Sequence, residues 1–117
     1  MIGDYPTKII RICEGYATGM SLHLATDDMV VVAYSGSNLR NVTIEIKRLF
    51  PEKEIIICAD PKEIELSYAI KAARAIGCLI QAPVSYTRTL LDFNDIHVVH
   101  GIEALQGQLY SHYFRIP

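Results

Sequence analysis

Several features are scarce in this sequence, and each scarcity removes a class of protein. Charge of one sign is lacking: eleven Lys and Arg stand against thirteen Asp and Glu, a formal charge of −2. That is not the balance of a self-sufficient nucleic-acid clamp, so any nucleic acid handled here needs a local patch, a metal or a neighbouring domain. Cysteine is sparse and unpatterned. Cys13, Cys58 and Cys78 are an odd set with no CxxC spacing. This argues against a disulfide framework or zinc ribbon and fits a reducing cytoplasm. No apolar run approaches a membrane span, and the acidic, proline-containing MIGDYP start lacks the pattern of a signal peptide. The expectation is a cytoplasmic protein without a membrane partner. A P-loop lysine and a GxGxxG are both missing, which takes support from ATPase and dinucleotide-binding readings. No internal repeat or linker divides the chain.

What remains is one domain's worth of sequence, residues 1–117, half of it apolar and 21% charged. At this size folding removes roughly two-thirds of the unfolded chain's surface from water, so a core needs no staple. Apolar bursts stand at 9–13 (IIRIC), 29–33 (MVVVA), 54–59 (EIIICA) and, more weakly, 79–82. Bursts of β-branched residues without polar alternation predict strands buried on both faces, as in a parallel sheet. Segments of helical length lie between them, at 17–25, 39–50 and 63–76. Leu39, Val42, Ile46 and Leu49 form one stripe; Ile64, Tyr68, Ala72 and Ala75 form another. Pro51 stops the second helix and Gly77 caps the third. A loop is expected over 83–91, then a helix opened by Asp92, then a last helix over 102–110. The order predicts an α/β fold: a doubly wound sheet of about four mostly parallel strands with helices on both faces.

In such sheets ligands collect outside the carboxyl ends of the strands. Glu14 ends the first strand, Ser35 to Asn38 follow the second, and Asp60 ends the third. Two carboxylates on one rim can seat Mg²⁺, or they can simply cap the following helices. The turns at Gly15–Gly19 and Ser35–Asn38 can cradle an anion, although glycine at a tight βα turn is common for steric reasons alone. Asp92 with Asp95 reads by default as an N-cap with an acidic first turn. His97 and His100 share a helix face near Asp95 but lack a third Cys or His for zinc. Tyr110, Tyr113 and Phe114 can stack bases or cover the core or a partner domain.

Taken together and in order, ICEGYATGMSLH, VVVAYSGSNL, IIICAD, AARAIG and LDFNDIH resemble the Toprim domain of plasmid- and phage-type DNA primases, over about residues 9 to 105. The resemblance implies a Toprim-like fold and a catalytic glutamate, Glu14, acting as general acid or base in nucleotidyl transfer. It implies Mg²⁺, with Mn²⁺ as a substitute, at Asp60, with Asp92 and Asp95 beside the same rim. Gly15 and Gly19 would permit close backbone approach, Asn38 would lie at the turn after the second strand, and Arg40, Lys71 and Arg74 would contact phosphate. Those cations read equally as ordinary solvated helix faces. The family's DxD motif places a second aspartate where this chain has Lys62; Glu63 or Glu65 could substitute as ligand. The implied function is primer synthesis for a plasmid, phage or integrated element. The partners would be DNA template and nucleotides, and the chain would be part of a larger primase with zinc-binding or helicase domains. Lys62 motivates the alternative of a degenerate, non-catalytic Toprim module for DNA or partner binding; a Toprim nuclease ranks third.

Overall fold

The structure, a computed structural model, describes residues 1–60, 63–83, 91–110 and 114–115, with residues 63–65 and 114–115 described by their backbone alone. The apolar bursts become strands β1 (Ile9–Cys13), β2 (Met29–Val32), β3 (Glu54–Cys58) and β4 (Leu79–Gln81). Helices α1 (Tyr16–Thr26), α2 (Gly36–Leu49) and α3 (Glu63–Ile76) join them. Helices α4 (Phe93–His100) and α5 (Ile102–Leu109) follow, then a short strand β5 (Phe114–Arg115). The sheet order is β2-β1-β3-β4-β5. The first four strands are parallel, and β5 pairs antiparallel to β4. A two-residue edge strand carries no readable period, which is why the sequence does not announce it. The loop expected over 83–91 lies mostly outside the described residues.

Alternation along each strand divides the side chains between two layers. Ile10, Ile12, Ile55, Ile57 and Ile80 pack with Leu39 and Ile46 of α2 and Ala69, Ala72 and Ala73 of α3. On the other face Cys13, Val30, Ile56 and Cys58 pack with Leu22 of α1, Phe93 and Ile96 of α4, and Leu105 and Leu109 of α5. Covering both faces explains the unbroken apolar bursts.

Two stripes differ from expectation. In α2, Thr43 is buried and Leu49, the last residue of the helix before Pro51, is 52% exposed. In α3 the buried positions are Ala69, Ala72 and Ala73, whereas Ala75 is exposed. Ile64's side chain is outside the described residues. Alanines let α3 lie close to the sheet, so the stripe follows side-chain size as well as period. Helix α2 also starts earlier than the first periodic apolar residue, at Gly36, where the Tyr68 ring of α3 occupies the space a Cβ would need. The cap at Gly77 holds: φ is 71° and its N–H donates to Ala73 O at 2.7 Å.

One feature has no counterpart in the sequence reading. Arg11, central in β1, is 1% exposed. Its Nε donates to Asp28 Oδ2 at 3.0 Å and its Nη1 to Gln81 Oε1. Gln81 in turn donates to Leu109 O. Burial opposes the guanidinium charge, but Cys58 and Asp28 outweigh it and hold the Arg11 pKa above its ordinary value. Because burial also pushes the Cys58 thiol up, Asp28 supplies the counter-charge at neutral pH. Among the described residues no helix is long and apolar enough to cross a membrane.

Candidate functional site

The strand order reverses direction between β1 and β3, since the chain leaves β1 for β2 on one side and returns to β3 on the other. That gap is the topological switch point, where open α/β sheets bind ligands. Ile12 pairs with Ile57 in this register, so Glu14 and Asp60 leave adjacent parallel strands at the same end of the sheet. Neighbouring strands lie about 4.8 Å apart. Both acids are half-buried. Pairing continues beyond the strands: Ala33 N–H donates to Cys13 O at 2.9 Å, Tyr34 N–H to Glu14 O at 2.8 Å, and Ala59 N–H to Gln81 O at 2.7 Å. The rim therefore reads, in spatial order, Tyr34, Glu14, Asp60.

Helix α4 brings two more carboxylates. Asp92 and Asp95 form a reciprocal capping box, with Asp95 N–H donating to Asp92 Oδ1 at 2.7 Å and Asp92 N–H to Asp95 Oδ2 at 3.0 Å. The capping reading of this pair is thus correct, and it occupies one oxygen of each group. Burial first, and then the negative charges of Asp95 and Asp60, hold the Asp92 carboxyl above its ordinary value against the pull of the Asp95 amide. Asp60, Asp92 and Asp95 therefore share one electrostatic neighbourhood. Ser21 of α1 fixes α4 in place: its Oγ donates to Asn94 Oδ1 at 3.1 Å and lies 3.0 Å from His97 Nδ1. His97 is a packing residue here.

The turn from β2 into α2 completes the rim. Ser35 is the N-cap of α2, yet its hydroxyl lies 3.2 Å from Ser37 Oγ and makes no capping bond. First-turn amides of α2 consequently face the rim without a side-chain cap from Ser35, an arrangement that favours anions. Asn38 Nδ2 donates to Ala33 O at 3.4 Å, bracing this turn from inside. Gly15 is exposed, with open space where a Cβ would stand.

Other expected residues sit elsewhere. Gly19 is buried in α1, where a Cβ would meet Val32 Cγ2 at 2.9 Å and Cys13 Sγ at 3.2 Å. It serves helix–sheet packing and does not face the rim, a correction to its expected phosphate contact. Arg74 is in the last turn of α3, about 16 Å along the axis from the rim end at 1.5 Å per residue, so it too leaves the site. Lys71 is about 12 Å along the same axis, with its Nζ 5.9 Å from the Tyr68 ring centroid. Arg40 is exposed on α2, about 6 Å from its N-terminus, which makes it, of the three expected phosphate contacts, the nearest to the rim end of its helix. Lys62, at the second DxD position, lies outside the described residues, as do the side chains of Glu63 and Glu65. Tyr110 stands at the opposite end of the sheet, sharing a pocket with Ile9 and Glu54; Tyr113 and the Phe114 side chain are outside the described residues.

Among the described residues no three His, Cys, Asp or Glu side chains form a ready ligand shell. Zinc, which asks for four close N or S ligands, does not suit this donor set. Mg²⁺ does: it is held by hard oxygens, commonly one or two carboxylates with waters and substrate phosphate.

The 2-1-3-4 parallel sheet with an acidic rim at its switch point is the architecture of an open α/β domain. The family model for the Toprim domain matches residues 9–103, and the chain belongs to the Toprim domain family. Among solved structures it is similar to the crystal structure of a DNA primase domain from Pseudomonas aeruginosa, with a TM-score of 0.62 and 17% sequence identity. That match covers 92% of this chain and 34% of the other, so the chain spans about a third of the structure it resembles. At this identity the likeness establishes the fold.

Proposed function

We propose that this chain is the Toprim module of a DNA primase, performing Mg²⁺-dependent nucleotidyl transfer in primer synthesis. The observation that carries the reading is the placement of Glu14 and Asp60 on adjacent strand ends at the switch point, with Asp92 within reach of the Asp60 charge. Family membership and the primase-like fold agree with it. Asp60 with Asp92 or Asp95 would hold Mg²⁺, which when bound neutralises charge on the reacting phosphates. Glu14 accepts the proton of the attacking 3′-hydroxyl as its oxygen bonds the α-phosphorus and pyrophosphate departs. The α2 amides and Arg40 orient phosphate, and Gly15 leaves room for it. The module serves a plasmid, phage or integrated element and works within a larger cytoplasmic primase, where zinc-binding or helicase domains bring the template.

A second reading is a degenerate, non-catalytic module. Lys62 at a family metal position favours it, since a lysine there repels the ion. A Toprim nuclease, which asks for a fuller acidic cluster, ranks third. Mn²⁺ titration followed by paramagnetic broadening separates the first two. Broadening centred on Glu14 and Asp60, with a loss of template-directed incorporation of about a hundredfold or more in Glu14→Gln, supports the primase reading. Absence of broadening with no incorporation supports the degenerate module. Mg²⁺-dependent nicking of plasmid DNA would instead support a nuclease.

A further inference from the structure

Tyr34 is an anomaly that neither turn geometry nor packing explains. Its backbone is left-handed, φ 69°, a region that bulky residues rarely occupy and that glycine or asparagine enters at lower cost. Its amide is fixed to Glu14 O at 2.8 Å, which commits the residue to this turn. Yet its ring is 74% exposed, and no hydrogen bond, ion pair or ring contact engages it among the described residues. A second ring lies close in the chain: Tyr16, the first residue of α1 and two past Glu14, is 57% exposed. It follows Gly15, which leaves open space.

We propose that Tyr34 is a stacking platform for an unpaired nucleobase on the β2 side of Glu14, with Tyr16, two residues past Glu14, as a second exposed ring available to the same strand. Rim order gives the reason. The Tyr34 turn lies on the β2 flank of Glu14, and Asp60, whose charge reaches Asp92, leaves β3 on the other flank. A nucleotide is divided the same way, with an apolar π-face at one end and phosphate, which a carboxylate-bound cation grips, at the other. Stacking on tyrosine is tolerant of base identity, which suits a site that must accept any template. The inference rests on the nucleotidyl-transfer reading and adds to it the residues that position the base.

The test uses the whole chain with ¹³C-labelled tyrosine, in EDTA so that no metal chemistry is needed. The probes are a six-nucleotide oligo(dA), an abasic oligomer of equal length, and dAMP. Oligo(dA) is expected to shift the Tyr34 and Tyr16 ring protons upfield, and the abasic oligomer is not. Tyr34→Gly, which suits the left-handed turn and so keeps the fold, is expected to weaken oligo(dA) binding about 5- to 100-fold; Tyr34→Trp retains it. Shifts with dAMP as well identify the base of a mononucleotide as occupant, and shifts with the oligomer alone identify a strand; either supports the platform. Rings unmoved at millimolar oligo(dA), equal shifts with the abasic oligomer, or unaltered binding by Tyr34→Gly would overturn it. If the rings stay unmoved while Glu14→Gln abolishes incorporation, only the platform falls. If the rings shift and the wild-type chain incorporates nothing, the platform stands and the transfer reading falls.

Discussion

Arg11 is held in the sheet interior by partners from three directions: Asp28 before β2, Gln81 in β4 and Cys58 in β3. A charge with 1% exposure is tolerable only while those partners remain. Asp28 is 18% exposed and can be solvated in part when its partner is lost, whereas the guanidinium cannot. Asp28→Ala is therefore expected to cost about 3–5 kcal/mol in urea unfolding. Arg11→Met with Asp28→Leu, which removes both charges, should recover most of that loss. A cost below about 1 kcal/mol for Asp28→Ala would show that the hydrogen bond to Gln81 is enough to hold the charge. The sequence offered one signal of this network, an arginine interrupting the apolar run IIRIC, because Arg is almost never fully buried unless paired. Its partners lie 17 and 70 residues away, beyond the reach of any local pattern.

At the scale of elements, helix α4 shows how one pair of side chains does two jobs. The capping box satisfies two amides at the start of α4 and also holds the Asp92 carboxylate where the charge of Asp60 reaches it. Substitution can separate these. Asp92→Asn keeps an N-cap acceptor and should change stability by only a few tenths of a kcal/mol, while Asp92→Ala should cost about 1 kcal/mol. If Asp92 also holds the cation, Mn²⁺ affinity falls in both variants alike. If Asp92 only caps, Mn²⁺ affinity follows wild type in Asp92→Asn. Elements were legible where burial is two-sided or periodic: β1 and α3 have the bounds the sequence predicts. Legibility failed where small residues decide. Position 36 at the start of α2 takes glycine because the Tyr68 ring lies against it, a contact from another helix, and Gly19 serves packing although its motif reads as a phosphate loop. Asp92 and Asp95 read as a helix cap and were tied to the rim only by the family resemblance, whereas Glu14 and Asp60 could be read as rim candidates because each follows a strand. Tyr34 could not, since its left-handed turn and exposed ring have no spacing to betray them.

For the molecule as a whole, the acidic rim and the formal charge of −2 set a limit on the DNA binding that the proposed function would require. Of the three cations implied as phosphate contacts, the fold leaves Arg40 near the rim, Lys71 farther along α3, and Arg74 at the far end. Each phosphate neutralised on a single strand contributes a slope of about −0.7 to log K against log salt. One or two contacts predict a slope between about −0.7 and −1.4 for the chain by itself. Fluorescence anisotropy with single-stranded DNA over a range of NaCl concentrations measures it directly. Such a shallow dependence would mean that stacking and cation-bridged phosphate dominate binding, and that template grip comes from another domain. Adding that domain should then steepen the slope while leaving Glu14-dependent chemistry unchanged. A slope steeper than about −3 for the chain alone would instead require a basic surface that the described residues do not provide. In that event the residues to substitute first are those around Lys62, the departure from the family motif that stands closest in sequence to Asp60.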